Sequence, residues 1–326
     1  MKQNKSEKFL FEKQNLNGWL NFNKPKNFSS SDCVRKIKSI LKAKKVGHAG
    51  TLDPMATGVL PIALGEATKV IRFVMESEKT YSFKAKWGIE TTTDDIEGDA
   101  VRTTDKRPTE KSILENLATF RGEILQTPPN FSAIKISGKR AYKISRSGSV
   151  PNLKARKVKI IEFKLLRIIN KDEAEFFVRC EKGTYIRSLT RDLGRELGVL
   201  GHVSSLNRES VGIFFKKKSI SLDQIKKMAH NSAENGVILP MLYPIDDCDK
   251  VEVNLDTSKS LLKGKKIPIE KIRKMKSFDK IKNGDFFLTT VKKNPIAICI
   301  IEDCLLKPKR VFNTEELEMF DVYNKK

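Results

Sequence analysis

The chain has 326 residues, with 63 Lys or Arg against 40 Asp or Glu, which gives a formal net charge of +23. Its hydrophobic fraction of 39% excludes a wholly disordered chain and predicts a globular protein with a sizeable core. A positive field attracts polyanions, so three interpretations stay open: a nucleic-acid partner, an acidic membrane surface, or lysines that only solvate the surface.

Several classes of protein are disfavoured by missing patterns. No apolar run approaches the roughly 20 residues that cross a bilayer, and no signal-peptide pattern appears, so we expect a cytoplasmic protein. The five cysteines show no paired spacing and are expected to be reduced thiols. The three histidines lack metal-ligand spacing, and no nucleotide-binding glycine motif occurs, so we predict neither a metal nor a cofactor.

The first predicted elements surround a loop rich in Gly, Thr and Pro. A helix is predicted over 29–45, because N-cap candidates at Ser29 to Asp32 precede apolar residues at helical spacing. The following segment, VGHAGTLDPMATGVLPIALGEATKVIRFV, predicts a structured loop that leads into a buried helix or strand. TYSFKAKWGI then alternates apolar and polar residues, which is typical of a half-buried strand.

The middle of the chain combines regular elements with a basic loop. A helix is predicted over 110–120, with Thr109 as its N-cap. Residues 126–156 hold two consecutive prolines, SGK and SGS turn signals and many basic residues, which predicts a long basic loop with a short helix near Tyr142. Two strands and an amphipathic helix that starts near Thr184 are expected to follow.

The character of the sequence changes after about Pro244. Short strand-like runs, among them DFFLTTV and PIAICIIED, alternate with lysine-rich turns. This pattern predicts a separate small β domain. We therefore expect two domains, residues 1–247 and residues 248–326.

Four segments carry most of the functional information: GWLNFNKPKNFSS, VGHAGTLDPMATGVLPIALGEATK, QTPPNFSAIKISGKRAYK and EKGTYIRSLTRDLGRELG. In this order they resemble the opening segment, catalytic motif, tRNA-binding loop and second active-site segment of the bacterial tRNA pseudouridine-55 synthases of the TruB type. Several ordered motifs over roughly residues 18 to 215 are far more specific than one short pattern. Asn27 stands where glycine is usual, and asparagine tolerates a left-handed backbone.

The resemblance implies an α+β fold. The expected catalytic domain has a mixed, largely antiparallel sheet with helices and a central cleft, and a small PUA-like β domain follows it. It also implies the reaction, which is isomerisation of uridine to pseudouridine at position 55 in the T-loop of tRNA. The enzyme would use an aspartate and no cofactor, and would act as a monomer without an obligate protein partner.

The resemblance further implies roles for single residues. Asp53 matches the essential aspartate, Tyr81 the tyrosine that stacks on the target base, and Arg187 the arginine that ion-pairs with the aspartate. The other implied substrate-binding positions are His48, Tyr185 and Leu206. Without the resemblance, Asp53 would be interpreted as a turn residue beside a proline, Tyr81 as core and Arg187 as a solvated helix residue.

A surface for RNA is implied as well. The expected RNA-binding residues are Lys24, Lys135, Lys139, Arg140, Tyr142 and Arg208. A basic loop suits the phosphates that flank an everted base, since RNA hairpins are recognised by shape, backbone and splayed bases. Two other hypotheses stay open: a non-catalytic chaperone that binds and refolds tRNA, and a synthase that works inside a guide-RNA particle.

Overall fold

The computed structural model describes residues 15–230, 237–272, 278 and 281–313. The strands in this part are β1 Gly18–Lys24, β2 Val46–His48, β3 Thr57–Leu64, β4 Lys79–Trp87, β5 Ile89–Thr91, β6 Ala100–Thr103, β7 Gly122–Gln126, β8 Lys135–Ile136, β9 Lys139–Arg140, β10 Arg156–Asn170, β11 Glu173–Cys180, β12 Gly201–Val211, β13 Phe214–Phe215, β14 Lys250–Glu252, β15 Ile267–Pro268, β16 Phe286–Val291, β17 Asn294–Glu302 and β18 Leu305–Val311. The α-helices are α1 Ser30–Ile40, α2 Ile71–Glu76, α3 Glu110–Leu117, α4 Ala141–Arg146, α5 Ile186–Glu196, α6 Leu222–His230 and α7 Leu255–Leu262.

The larger sheet follows the order β1-β3-β12-β4-β11-β10-β7, with β2 paired to β3 and β13 paired to β12. Its strands pair antiparallel except at one place. There β3 and β12 run parallel, through the pairs Thr57–Asn207 and Gly58–Arg208. The predicted mixed, largely antiparallel sheet with helices is confirmed.

Strand β4 lies inside this sheet, between β12 and β11. Its residues alternate between buried and half-buried along the whole strand, as the apolar–polar pattern predicts. Tyr81, Phe83, Ala85 and Trp87 are buried on one face. Phe83 stacks on Phe176 of the neighbouring strand β11, with the ring centroids 5.4 Å apart. This face forms the main core of the sheet.

Two predicted helix starts are confirmed by their caps. The Ser29 hydroxyl accepts from the backbone N–H of Asp32, whose carboxylate in turn accepts from the backbone of Ser29, so α1 begins with a capping box. Thr109 caps α3 in the same way. The prediction extended α1 too far, because the helix ends at Ile40 and Lys42 takes a left-handed φ of 49°.

A second sheet is built from the C-terminal strands in the order β14-β16-β17-β18-β15. Leu288, Ile298 and Phe312 from this region share one buried cluster with Trp19 and Phe214 of the larger sheet. The two sheets are therefore joined through common apolar packing. None of the helices among the described residues is long and apolar enough to cross a membrane.

Candidate active site

Residues 49–56 connect β2 to β3 and form neither helix nor strand. Every backbone carbonyl from Gly50 to Pro54 nevertheless accepts a hydrogen bond. The donors are Arg208 for Gly50 and Thr51, the Ser30 hydroxyl for Leu52, the Ala56 amide for Asp53, and both Lys24 and the Asn27 amide for Pro54. Because unpaired buried backbone groups are costly, these donors fix the path of the loop.

Asp53, at the middle of this loop, meets Arg187 of α5. The Arg187 Nη2 donates to Asp53 Oδ1 at 3.1 Å, and Nε lies 2.9 Å from Oδ2. The aspartate side chain is 29% exposed and the arginine side chain only 5%. The guanidinium thus approaches both oxygens from inside the protein and fixes the direction of a carboxylate that stays open to solvent.

Arg187 is held by more than Asp53. Its Nη1 donates to the Thr93 carbonyl at 2.8 Å, its Nη2 donates to the Phe131 carbonyl at 3.1 Å, and the Asp95 carboxylate lies 3.4 Å from Nη1. Burial opposes its charge, but the carboxylates of Asp53, Asp95 and Asp94 raise the pKa of Arg187 above its usual value. Its position is therefore fixed by three separate segments of the chain.

A second ion pair lies one helical turn further along α5. Arg191 Nη1 donates to Asp94 Oδ2 at 2.7 Å, and both side chains are almost fully buried. Burial raises the pKa of Asp94 to about 6, although Arg191 acts against this rise. Sequence reasoning missed Asp94, Asp95 and Arg191 as site residues. The available signal was a pair of adjacent acids in ETTTDD and a pair of arginines four residues apart in one helix.

An apolar wall stands beside the carboxylate. Tyr81 and Leu206 belong to the buried cluster that also contains Leu52 and Met55 of the loop over 49–56, here named the catalytic loop after the role expected for Asp53, and Ile186 of α5. Burial raises the pKa of the Tyr81 phenol to about 12, while the charge of Arg208 and a hydrogen bond with it act in the opposite direction. The phenol is therefore neutral, and its ring lines the apolar side of the site.

His48 directly precedes the loop that carries Asp53, and Tyr185 directly precedes the helix that carries Arg187. His48 ends β2 and is half-buried; burial and then the charge of Arg208 lower its pKa, so the imidazole is neutral. Tyr185 precedes α5, and the Arg156 guanidinium lies 5.1 Å from the centre of its ring. Gln126 exchanges two hydrogen bonds with the backbone of Tyr185 and ties it to β7.

The basic loop over 126–156 contains the hairpin β8–β9 and then α4, which is the short helix predicted near Tyr142. Lys135, Lys139 and Arg140 on the hairpin are exposed, and Tyr142 is half-buried. The base of the loop is attached to α5, because the Thr127 carbonyl accepts from both Ser188 and Arg191. The loop thus connects a basic surface directly to the helix that holds Arg187.

Two of the residues expected to bind RNA, Lys24 and Arg208, are buried. Lys24 is 0% exposed, and its Nζ donates to the carbonyls of Pro25, Phe28 and Pro54. Arg208 is 1% exposed and directs its guanidinium at the catalytic loop. Both side chains are enclosed by backbone carbonyls of the protein. Within the described ranges, no group of three or more His, Cys, Asp or Glu residues is placed to hold a metal ion.

Comparison with known proteins assigns the chain to a family. The family model "TruB family pseudouridylate synthase (N terminal domain)" matches residues 38–186, and "tRNA pseudouridylate synthase B C-terminal domain" matches residues 187–248. The tRNA pseudouridine synthase B of Ehrlichia chaffeensis is 41% identical over 91% of this chain and 99% of its own length. The same-named protein of Bartonella henselae is 49% identical over 68% of this chain and 69% of its own length.

Solved structures give the same result at the level of the fold. The structure described as a Cbf5-Nop10-Gar1 complex matches with a TM-score of 0.68 and 28% identity over 91% of this chain and 85% of that chain. An H/ACA RNP bound to a substrate RNA containing 2'-deoxyuridine matches with a TM-score of 0.66 and 26% identity over the same shares of the two chains. Both family models describe pseudouridylate synthases, which defines the class of protein. Within that class, the chain belongs to the TruB family.

Proposed function

We propose that this protein is a tRNA pseudouridine synthase that isomerises the uridine at position 55 of the T-loop, with Asp53 as its catalytic residue and without a cofactor. The observation that carries the proposal is the Asp53–Arg187 ion pair, which presents a fixed and partly exposed carboxylate beside an apolar wall. The names of the relatives support tRNA as the substrate. The cytoplasm, where tRNA is processed in bacteria, is the proposed location.

The chemistry needs little beyond a positioned carboxylate. Uracil is detached from the ribose when the N1–C1′ bond breaks, and it is reattached when a C5–C1′ bond forms, while one proton leaves C5 and one is gained at N1. Atoms and electrons balance within the nucleotide, so neither a redox partner nor a group donor is consumed. Asp53 can act as nucleophile toward C6 or C1′, or take a proton from the ribose.

The surrounding residues divide the remaining tasks. The aromatic ring of Tyr81 offers a stacking surface to the everted uracil, and Leu206 and Tyr185 line the pocket for it. His48, neutral and half-buried at the entry to the catalytic loop, holds the opened T-loop. Everting a base costs a few kcal/mol, and contacts to the flanking nucleotides offset this cost.

The basic hairpin and the C-terminal sheet are proposed to bind the rest of the RNA. Lys135, Lys139, Arg140 and Tyr142 lie on one loop whose base is attached to α5. Residues 1–247 would then carry catalysis, and residues 248–326 would form the small RNA-binding domain. The protein is proposed to work as a monomer without an obligate protein partner.

The deciding experiment compares Asp53→Asn with the wild type on a T-arm hairpin, by mapping pseudouridine in the treated RNA. We expect the kcat of the variant to fall at least about 10³-fold, which is the scale seen when a nucleophile is removed. Hairpin affinity should be kept, because the amide preserves the shape of the loop.

The matched control is Asp105→Asn, which removes an exposed carboxylate and should keep the wild-type rate. Substantial activity of Asp53→Asn would rule out the proposed role of Asp53. Absence of pseudouridine with the purified wild type would favour one of the other hypotheses, a non-catalytic chaperone or an enzyme that depends on a guide RNA.

A further inference from the structure

The side chain of Arg208 is buried, and its hydrogen bonds point to a task within the protein. We propose that Arg208 is a positioning residue for catalysis, whose guanidinium joins the backbone of the Asp53 loop to the strand beside Tyr81. The inference rests on the proposed function and assigns a role within the same site.

The location of Arg208 in the sheet makes this task possible. Strand β12 lies between β3 and β4, and Arg208 is paired with Gly58 on one side and with Tyr81 on the other. Gly58 takes a φ of +105°, and a Cβ there would lie 2.3 Å from the Arg208 carbonyl oxygen. Glycine thus permits the close approach of β3, which directly follows the catalytic loop.

The guanidinium uses all three of its nitrogen atoms on the same loop and strand. Its Nε donates to the Val59 carbonyl at 2.7 Å, Nη2 donates to Gly50 at 3.1 Å, and Nη1 donates to Thr51 at 3.3 Å. Gly50 and Thr51 precede Asp53, and Val59 follows it on β3. Arg208 therefore holds both sides of the catalytic loop with one rigid group, which a lysine ammonium cannot span in the same way.

The cost of burying Arg208 also argues for a role beyond core packing. It makes no ion pair with an acid among the described residues, although it is 1% exposed. A buried charge without a counter-ion is expensive, and an apolar side chain would suit a sheet interior better. Its charge is felt by its neighbours, since it lowers the pKa of His48 and opposes the rise at Tyr81.

The test uses three substitutions at this position and one matched control. Arg208→Met keeps an unbranched apolar stem but removes the donors and the charge, Arg208→Lys keeps the charge without the guanidinium, and Arg208→Ala leaves space for added guanidinium. Lys79→Met is the control, because Lys79 is also a buried cation of this sheet whose ammonium donates to backbone carbonyls, those of Met75 and Ser77. Those carbonyls belong to α2 and its end, away from the catalytic loop.

We expect Arg208→Met to lower kcat on the T-arm hairpin about 100-fold, the scale of an ångström-sized misplacement of a catalytic group, with KM and hairpin affinity within about threefold of wild type. Arg208→Lys should give an intermediate kcat, and Lys79→Met should keep the wild-type kcat. In Arg208→Ala, guanidinium at about 10 mM should restore part of kcat, whereas sodium chloride at the same ionic strength should not. A purely structural role would instead appear as a loss of folded protein, and not as a fall in kcat at unchanged KM.

The outcomes separate the two proposals. No pseudouridine with the wild-type protein would end the proposed function itself. With an active wild type, a folded Arg208→Met variant whose kcat lies within about threefold of wild type would overturn the inference. Failure of both Arg208→Met and Arg208→Lys to fold would also overturn it, because Arg208 would then serve the fold and not the position of the loop.

Discussion

At the scale of single residues, the site combines an enclosed guanidinium with an accessible carboxylate. Arg187 contacts Asp53 from the interior of the protein and is itself fixed by the carbonyls of Thr93 and Phe131. An approaching base therefore meets the carboxylate first. Movement of Arg187 would change the position of Asp53 directly, because Nη2 and Nε of the guanidinium face the two carboxylate oxygens.

We expect Arg187→Ala to lower kcat at least about 100-fold, since Asp53 loses the partner that sets its direction. Asp94 and Asp95 lose part of their compensating charge as well, so the melting temperature should fall. Single-turnover pseudouridine formation at saturating hairpin would measure the effect on chemistry. Arg195→Ala, which removes a half-exposed arginine of the same helix, is the control whose kcat should stay close to wild type.

Lys79 allows a test of how burial of a single ammonium group makes stability depend on pH. Burial lowers the pKa of Lys79 from 10.5 to about 8. Between these two values the unfolded chain binds the proton and the native state does not, so the native state gains stability as the pH rises. The free energy of unfolding of the wild type relative to Lys79→Met should therefore increase from about pH 8 to about pH 10.5.

Urea unfolding of both proteins across this range would measure the difference. Effects of pH on the groups that do not interact with Lys79 cancel, because the two chains differ at one position. A constant difference between wild type and Lys79→Met would contradict the lowered pKa of the native state.

The residues hardest to place from the sequence were charged ones that can lie either on the surface or in the interior. Arginine and lysine are usually solvated, so nothing in the pattern around Lys24 or Arg208 predicts their burial. Asp53 and Arg187 are 134 positions apart, and only the resemblance to a family brought them together before the structure did. Asn27, in contrast, takes the left-handed backbone predicted for it, with a φ of 66°.

At the scale of elements, the local sequence was sufficient to predict a strand or a helix where the spacing of apolar residues or a capping residue indicated it clearly. Strand β4 follows its alternating pattern, and α3 begins after the predicted Thr109. The loop over 126–156 was predicted as a basic loop with a short helix, but its attachment to α5 was not. The hydrogen bonds of Thr127 and Phe131 with α5 join segments distant in sequence, and no periodicity reports such contacts.

The exposed hairpin β8–β9 should contribute to RNA affinity through its charge. We expect Arg140→Glu to weaken binding of a T-arm hairpin and to reduce the slope of log K against log salt by about one, the value for one lost phosphate contact. Filter binding at several salt concentrations would measure both quantities. The charge-matched control Lys111→Glu lies on α3, where the lysine is exposed beside Glu115.

Equal effects of Arg140→Glu and Lys111→Glu would show that net charge alone governs affinity. A wild-type affinity that does not change with salt would contradict the role given to the charge of +23.

At the scale of the whole molecule, the two sheets share one apolar cluster. Phe312 is 1% exposed and lies in this cluster with Trp19. We expect Phe312→Ala to lower the free energy of unfolding by about 3–5 kcal/mol, because a large buried ring is lost. The two sheets should still unfold together.

The two tryptophans make this cooperativity measurable. Trp19 reports on the shared cluster and Trp87 on the core of the larger sheet. Urea unfolding of Trp87→Phe, in which Trp19 is the remaining tryptophan, should give coincident transitions by fluorescence and by far-UV circular dichroism. A fluorescence transition that precedes the circular-dichroism transition would show that the region around the shared cluster unfolds as an independent unit.

Every backbone carbonyl of the loop from Gly50 to Pro54 accepts a hydrogen bond within the protein, and this has a consequence for the binding of RNA. The segment needs no rearrangement on meeting RNA, since its conformation is already determined when the chain folds. Little conformational entropy is then lost within it during association. In the proposed reaction, more of the favourable free energy of docking then remains for lifting the uridine out of its stack, so a rigid loop in the protein supports deformation of the RNA.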